Sequence, residues 1–325
     1  MARPRPLFAW WAPLALAATF ASGLALQAGV AAECHRDRSA GPRLARLQQA
    51  MAEGRFVTYE PTSIEVVDGH VTPASAEGIR ADLAALRPHF DALLTYEAGH
   101  GLEALPAISA GLGFRALLVG VWKPGDAREL QLALQAAKDH PALVLGIVLG
   151  NETVFRRELS MAQLAQALHA ARALAPGLLF ATSEPFHLYG SAEAAAVLAE
   201  SDLLLPNIHP VYQAWFKAGS SERQAAEFVR NVVADLRQAY CGPVLVKETG
   251  EPPGPEESGY SEAHQAAFWR ALHEVLPPSR DAAAATFAAF DLAWRAQDGG
   301  LASEAHWGVF DAQRHAKLAM QPLAP

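Results

Sequence analysis

The stretch "LVLGIVLGNETVFRRELSMAQLAQALHAARALA" (143–175) contains one complete structural unit. Its first eight positions are apolar or glycine, the unbroken pattern of a strand buried on both faces. Polar residues begin at once with Asn151 and Glu152. From Ser160 the apolar positions recur at helical spacing, and a serine at that boundary suits a helix N-cap. Strand, short loop and amphipathic helix form the unit from which parallel α/β folds are built.

The same alternation extends outward in both directions. β-prone runs lie at 55–60, 91–96, 115–122, 143–151, 178–183, 202–208, 243–248 and 286–291. Helical patterns fill the intervals, near 75–87, 101–112, 127–139, 160–175, 191–200, 220–240 and 261–275. Pro88, Pro141, Pro176-Gly177, Gly242-Pro243 and Pro277-Pro278 mark helix ends. Eight strands alternating with helices predict an α/β fold of the (β/α)8 TIM-barrel type, as a single domain over 55–325, in preference to an open doubly wound sheet. Residues 36–54 read as a lead-in helix within a lead-in segment, 33–54.

Residues 1–32 stand apart. Arg3 and Arg5 precede an uncharged stretch from Leu7 to Val30, and Val30-Ala31-Ala32 offers a small-residue cleavage site. This pattern is that of a secretory signal peptide, and residues 7–30 are also long enough for an N-terminal membrane anchor. Either reading predicts an exported protein, periplasmic or extracellular. Export permits a disulfide, so Cys34 and Cys241 read either as a structural bridge or as two unrelated thiols.

Half of the residues, 51%, are hydrophobic, enough for one large core, and the net charge is −8. There is no basic stripe and no interleaving of aromatic with basic residues, which excludes a nucleic-acid partner. An uncharged substrate suits this balance. The twelve histidines are scattered without an H-E-x-x-H motif, so neither a metal nor another cofactor is expected. "GLGFRA" (111–116) satisfies a dinucleotide pattern but precedes a strand rather than following one, and G-x-S-x-G does not occur.

The chemistry gathers at two strand ends. "VLVKETGEPPG" (244–254) is built like the opening stretch, an apolar run that delivers Glu248 at its tip. A carboxylate there is costly unless it is paired or used. In a barrel of this kind Glu152 and Glu248 end strands four and seven on the face where function collects. Two facing carboxyls suit glycoside cleavage, one as proton donor and one as nucleophile or base.

"GNE" after strand four and "ETG" after strand seven, in this order and spacing, resemble glycoside hydrolase family 17, the family of β-1,3-glucanases and related glucan transglycosylases. "GIRADLAALRPHFDALLTYEAGHGLEALPAISAGLGFRALLVGVW" (78–122), "FAAFDLAWR" (287–295) and "HWGVFD" (306–311) extend the resemblance over most of the exported chain. The resemblance implies a retaining enzyme acting on β-glucan poly- or oligosaccharide. Glu152 would be its acid/base, Glu248 its nucleophile, and Asn151 a contact to the sugar's 2-hydroxyl. The chain departs from the family pattern at Leu94, where an arginine is common, at Glu251, where a tryptophan is usual, and at Leu292, where a glutamate is usual. The catalytic pair survives these changes.

Aromatic faces match the C–H faces of sugar rings. Tyr59, Tyr96, Trp122, Tyr212, Trp215, Trp294 and Trp307 are candidates, Tyr96 and Trp294 foremost because both fall at predicted strand ends. "PNIHPVYQAWF" (206–216) ends strand six and supplies Asn207 and His209. His209 either tunes Glu248 or serves as a packing residue. Two alternatives to hydrolysis remain: transglycosylation on the same site, and a glucan-binding barrel without catalysis. A Schiff-base barrel is disfavoured, because alternation along the strand turns Lys247 away from the side Glu248 faces.

Overall fold

Strands and helices alternate through the described residues, 41–67 and 70–321 of a computed structural model. Residues 1–40, with the leader and Cys34, lie outside the described residues. Helix α1 (Gly41–Glu53) leads into β1 (Phe56–Thr58), followed by an antiparallel hairpin of β2 (Glu65–Val67) and β3 (His70–Thr72). From α2 (Ala76–Leu86) onward the order is β4 (Ala92–Leu94), α3 (Leu105–Gly111), β5 (Ala116–Val121), α4 (Ala127–Asp139), β6 (Val144–Asn151), α5 (Met161–Leu174) and β7 (Leu179–Ser183). Then come α6 (Ala195–Glu200), α7 (Glu222–Ala239), β8 (Val244–Val246), α8 (Glu262–Val275), β9 (Ala282–Ala284) and α9 (Ala293–Gly299).

Strands β1, β4, β5, β6 and β7 pair in parallel in that order, and β8 pairs in parallel with β9. Backbone contacts join these two sheets on both sides. Leu204 bridges Val244, and Asn207 bridges both Pro185 and Glu248. Val57 bridges Thr286, whose N–H donates to the Phe56 carbonyl at 2.9 Å. The circuit thereby returns to β1 with eight staves, the expected barrel.

The helices begin where the sequence places their caps. Ser75 accepts from the Gly78 N–H at 3.0 Å, and Ser160 and Gln163 form a reciprocal capping box at α5. Such a cap is worth about 1 kcal/mol.

The core divides by barrel geometry. Leu94, Leu118, Leu145, Val148, Leu179, Ala181, Leu205, Leu245 and Ala283 fill the interior, and Leu44, Leu47 and Met51 of α1 join the same cluster. Alternate residues such as Leu93, Leu117, Ile147 and Phe180 point outward and meet the helices. Arg43 Nη1 donates to the Gly177 carbonyl at 2.8 Å, just ahead of β7, so α1 lies across the end where the strands begin.

Three expectations need correcting. The run 202–208 is extended and bridged but forms no regular strand, because Pro206 has no N–H to give to a ladder. The eighth strand begins at Ala282, ahead of the expected 286, because the four alanines of 282–285 carry little strand propensity and hide it. The β2–β3 hairpin was not expected, although Asp68-Gly69 between β-prone residues is the short-range sign of one.

Candidate active site

Strand β6 carries Asn151 and Glu152 to the C-terminal end of the barrel. Gly150 has φ +77° and Glu152 φ +58°, so the chain twists sharply where the strand ends. A left-handed conformation costs a non-glycine residue roughly 1–2 kcal/mol. Here it is held from both sides. The Glu152 N–H donates to the Ser183 carbonyl at 2.7 Å. Glu184, fully buried, accepts from Thr153 Oγ1 at 3.1 Å and from the N–H groups of Val154 at 2.8 Å and Phe155 at 3.2 Å.

A continuous polar network joins Glu152 to Glu248. Asn207 Nδ2 donates to Glu152 Oε1 at 2.9 Å and to Asn151 Oδ1 at 3.3 Å, with its own carbonyl fixed by Ser183 Oγ at 2.9 Å. Lys247 Nζ donates to Asn151 Oδ1 at 2.8 Å and lies 3.9 Å from Glu248 Oε1. His209 Nε2 is 3.2 Å from Glu248 Oε2, and the Tyr96 hydroxyl faces the same carboxyl. Both glutamates are buried.

Their proton affinities diverge. Burial and then the charge of Glu248 push the Glu152 carboxyl up to about 8, and the Asn207 hydrogen bond offsets part of the rise. Burial also pushes Glu248 up. The hydrogen bond from His209, the charge of Lys247 and the Tyr96 hydroxyl more than reverse it and hold that carboxyl below its ordinary value. One acid thus keeps its proton near neutrality while the other stays ionised, the division of labour an acid and a nucleophile require.

Lys247 corrects the reading of the strand. Leu245 faces the interior and Val246 the helices, so alternation carries Lys247 inward; Glu248, beyond the last regularly paired residue, departs from it, and both side chains enter the network. The ammonium also lies 3.8 Å from the Tyr96 ring centroid, a cation–π contact. Burial brings it down to about 8 against the pull of Glu248.

The aromatic candidates separate into groups. Tyr96, Trp122, Phe287 and Trp307 form one buried cluster at this end of the barrel. The Trp307 and His209 rings lie 5.4 Å apart, and the Arg156 guanidinium covers Trp122 at 4.6 Å. Tyr212 donates to Glu304 at 2.6 Å and stands beside His209. Tyr59 is committed to Asp82 in the core, and Trp215 packs on Phe216 and Phe228. Trp294 is not brought to the glutamates. It lies in α9 rather than at a strand end, and its ring belongs to the outer core. Its neighbour Arg295, buried and ion-paired with Glu60, reaches the Tyr96 and Phe287 rings at 5.8 and 5.2 Å. No local motif marks Arg295 or Glu184, since both act through contacts distant in sequence.

Paired carboxyls at the mouth of an eightfold parallel barrel are the apparatus of glycoside hydrolases. Fold and site together point to that class. The chain belongs to the BtgE/BtgC glycoside hydrolase domain family, which matches residues 57–308. Among curated relatives it is similar to a glucan 1,3-beta-glucosidase of Saccharomyces cerevisiae, 23% identical over 77% of this chain and 86% of the relative. A glucan 1,3-beta-glucosidase of Arthroderma benhamiae is 25% identical over 73% of this chain and 82% of the relative. Among solved structures, a glycoside hydrolase family 17 beta-1,3-glucanosyltransferase from Rhizomucor miehei superposes with a TM-score of 0.64 at 21% identity, covering 82% of this chain and 96% of that one.

Proposed function

We propose that the barrel cleaves β-1,3-glucan by a retaining double displacement. The reading rests on the divergent protonation of Glu152 and Glu248 within one hydrogen-bonded network. Glu248 attacks the anomeric carbon while Glu152 gives its proton to the departing glycosidic oxygen. The resulting ester joins sugar to Glu248. Glu152, now a carboxylate, takes a proton from the incoming hydroxyl, whose oxygen displaces Glu248 from the same carbon with net retention. Asn151 has its carbonyl oxygen engaged by Lys247 and Asn207, which orients the Nδ2 hydrogens as donors to a sugar hydroxyl. Tyr96, Trp122 and Trp307 supply the aromatic lining, and Asn207 and His209 position the two carboxyls.

Proton NMR of laminari-oligosaccharide cleavage tests this reading. Newly released reducing ends should first carry the β configuration, and first-formed α anomers would exclude it. The names of the similar proteins favour a second reading as well. They divide between glucosidases and a glucanosyltransferase, and the same intermediate serves either when water or a sugar hydroxyl is the acceptor. Products longer than the substrate would identify transfer. Residues 1–32 serve in this reading as an export leader, on their sequence pattern alone; N-terminal sequencing of the exported protein would show cleavage or retention.

A further inference from the structure

Beside the loop that follows the proposed nucleophile lies a second group of ionisable side chains that the reaction leaves unused. Glu251 lies on the loop between β8 and α8, Glu222 opens α7, and His264 falls in the first turn of α8. One ligand atom from each lies within 4.8 Å of the others. Glu251 has 0% exposure, and neither of its carboxyl oxygens has a hydrogen-bond partner. Glu222 Oε1 is likewise buried without a partner. No ion pair among the described residues involves either carboxyl. Two facing carboxyl groups with no donor on these oxygens suit a cation placed between them.

The imidazole is arranged to help supply its site. His264 Nδ1 lies 3.1 Å from the Gly259 carbonyl oxygen. A carbonyl only accepts, so Nδ1 carries a hydrogen and Nε2 is the nitrogen left to act as a ligand. Metal-binding histidines are commonly oriented in this way. Room for the ring depends on Gly219 at φ +79°, where an added Cβ would lie 2.7 Å from His264 Cε1.

We propose that Glu222, Glu251 and His264 bind a divalent cation of the zinc type, with water completing the coordination. Two carboxylates and a neutral imidazole balance a double positive charge, and mixed nitrogen and oxygen donors suit zinc better than calcium or magnesium. The ion fastens the loop carrying Glu248 to the starts of α7 and α8. It also explains the acid at position 251, where the resemblance to family 17 leads one to expect tryptophan. The three ligands come from separate elements, so no short motif announces them.

The test measures metal rather than turnover, so its result is independent of the glucan reading. The full chain, purified without a histidine tag and stripped with EDTA, is incubated with zinc chloride, gel-filtered and analysed by elemental mass spectrometry. Wild type should retain one zinc per chain. Its Tm should rise by roughly 5 °C at zinc near a hundred times Kd. E251Q and H264A should lose at least nine-tenths of the zinc and the Tm response. E152Q should keep both, which separates this site from metal caught by the catalytic carboxyls. In EDTA, E251Q should melt at or above wild type because a buried carboxyl facing Glu222 is gone, so its failure to take zinc would not reflect unfolding. A wild type that retains no zinc, an E251Q that retains a full equivalent, or a response confined to calcium overturns the proposal.

Discussion

The two ends of this barrel contrast in what they bury. At the end where the strands begin, α1 presses Leu44, Leu47 and Met51 onto the interior cluster with Phe56 and Ala92, and the buried acids there, Asp91 and Asp202, are each paired with an arginine. At the opposite end the buried groups include Glu152, Lys247, Glu248, Glu184 and Arg295. The first end gains stability from close packing. The second accepts the desolvation of charges in return for reactive groups whose proton affinities are set by one another. Stability and reactivity thus reside in different parts of one fold, and substitutions should separate them.

The largest expected effect is at Glu248. Glu248→Gln should lower kcat by about 10⁴-fold or more while leaving Tm at or above the wild-type value. Steady-state kinetics beside calorimetry checks both. Glu152→Gln comes next, with a loss of roughly 10²–10⁴-fold on substrates whose leaving group needs a proton. Its stability should depend on pH in a defined direction. The folded-state pKa of Glu152 lies above its ordinary value, so its favourable contribution is full below about 4.5 and is lost as pH rises through about 8. The glutamine variant escapes that loss, and its Tm advantage over wild type should be larger at pH 9 than at pH 5. An advantage independent of pH would contradict the assignment.

At the other end, Leu47→Ala should cost about 2–4 kcal/mol, a fall in Tm of several degrees, with kcat/KM unchanged. A parallel fall in kcat/KM would show that the two ends are coupled. The smallest effect is expected at Lys247. Lys247→Met removes a charge that favours ionised Glu248, so the acid limb of the pH–rate profile should move upward, while kcat at its optimum drops about tenfold. The alkaline limb, governed by Glu152 near pH 8, should move the same way, because the lysine charge also acts on Glu152. An unmoved acid limb would assign Lys247 to holding Asn151 alone.

The same contrast explains what could be read from the sequence. Apolar periodicity reports burial directly, so most staves and their helices, with caps at Ser75 and Ser160, were legible. The sixth stave lies where it was expected but is irregular, because Pro206 cannot donate to a ladder, and the eighth was misplaced because the alanines of 282–285 carry a weak local signal. Glu152 and Glu248 stood out because a carboxyl at a buried strand tip demands an explanation. Lys247 was misread because alternation was counted from Glu248, which departs from it, rather than from the interior Leu245. Trp294 was taken to sit at the end of the eighth strand, and because that strand lies earlier it falls on a helix instead. Arg295 and Glu184 gain their roles from partners far along the chain, and no window of sequence contains both members of such a pair.

The position of α1 also governs how the molecule can be attached to anything. Gly41 begins a helix seated across the barrel's underside, with Arg43 hydrogen-bonded near the base of β7. A carrier, surface or fusion partner joined ahead of Gly41 therefore meets the domain opposite its cleft. Tethered in that orientation, the opening looks outward, and a long polymer can reach it without passing the point of attachment.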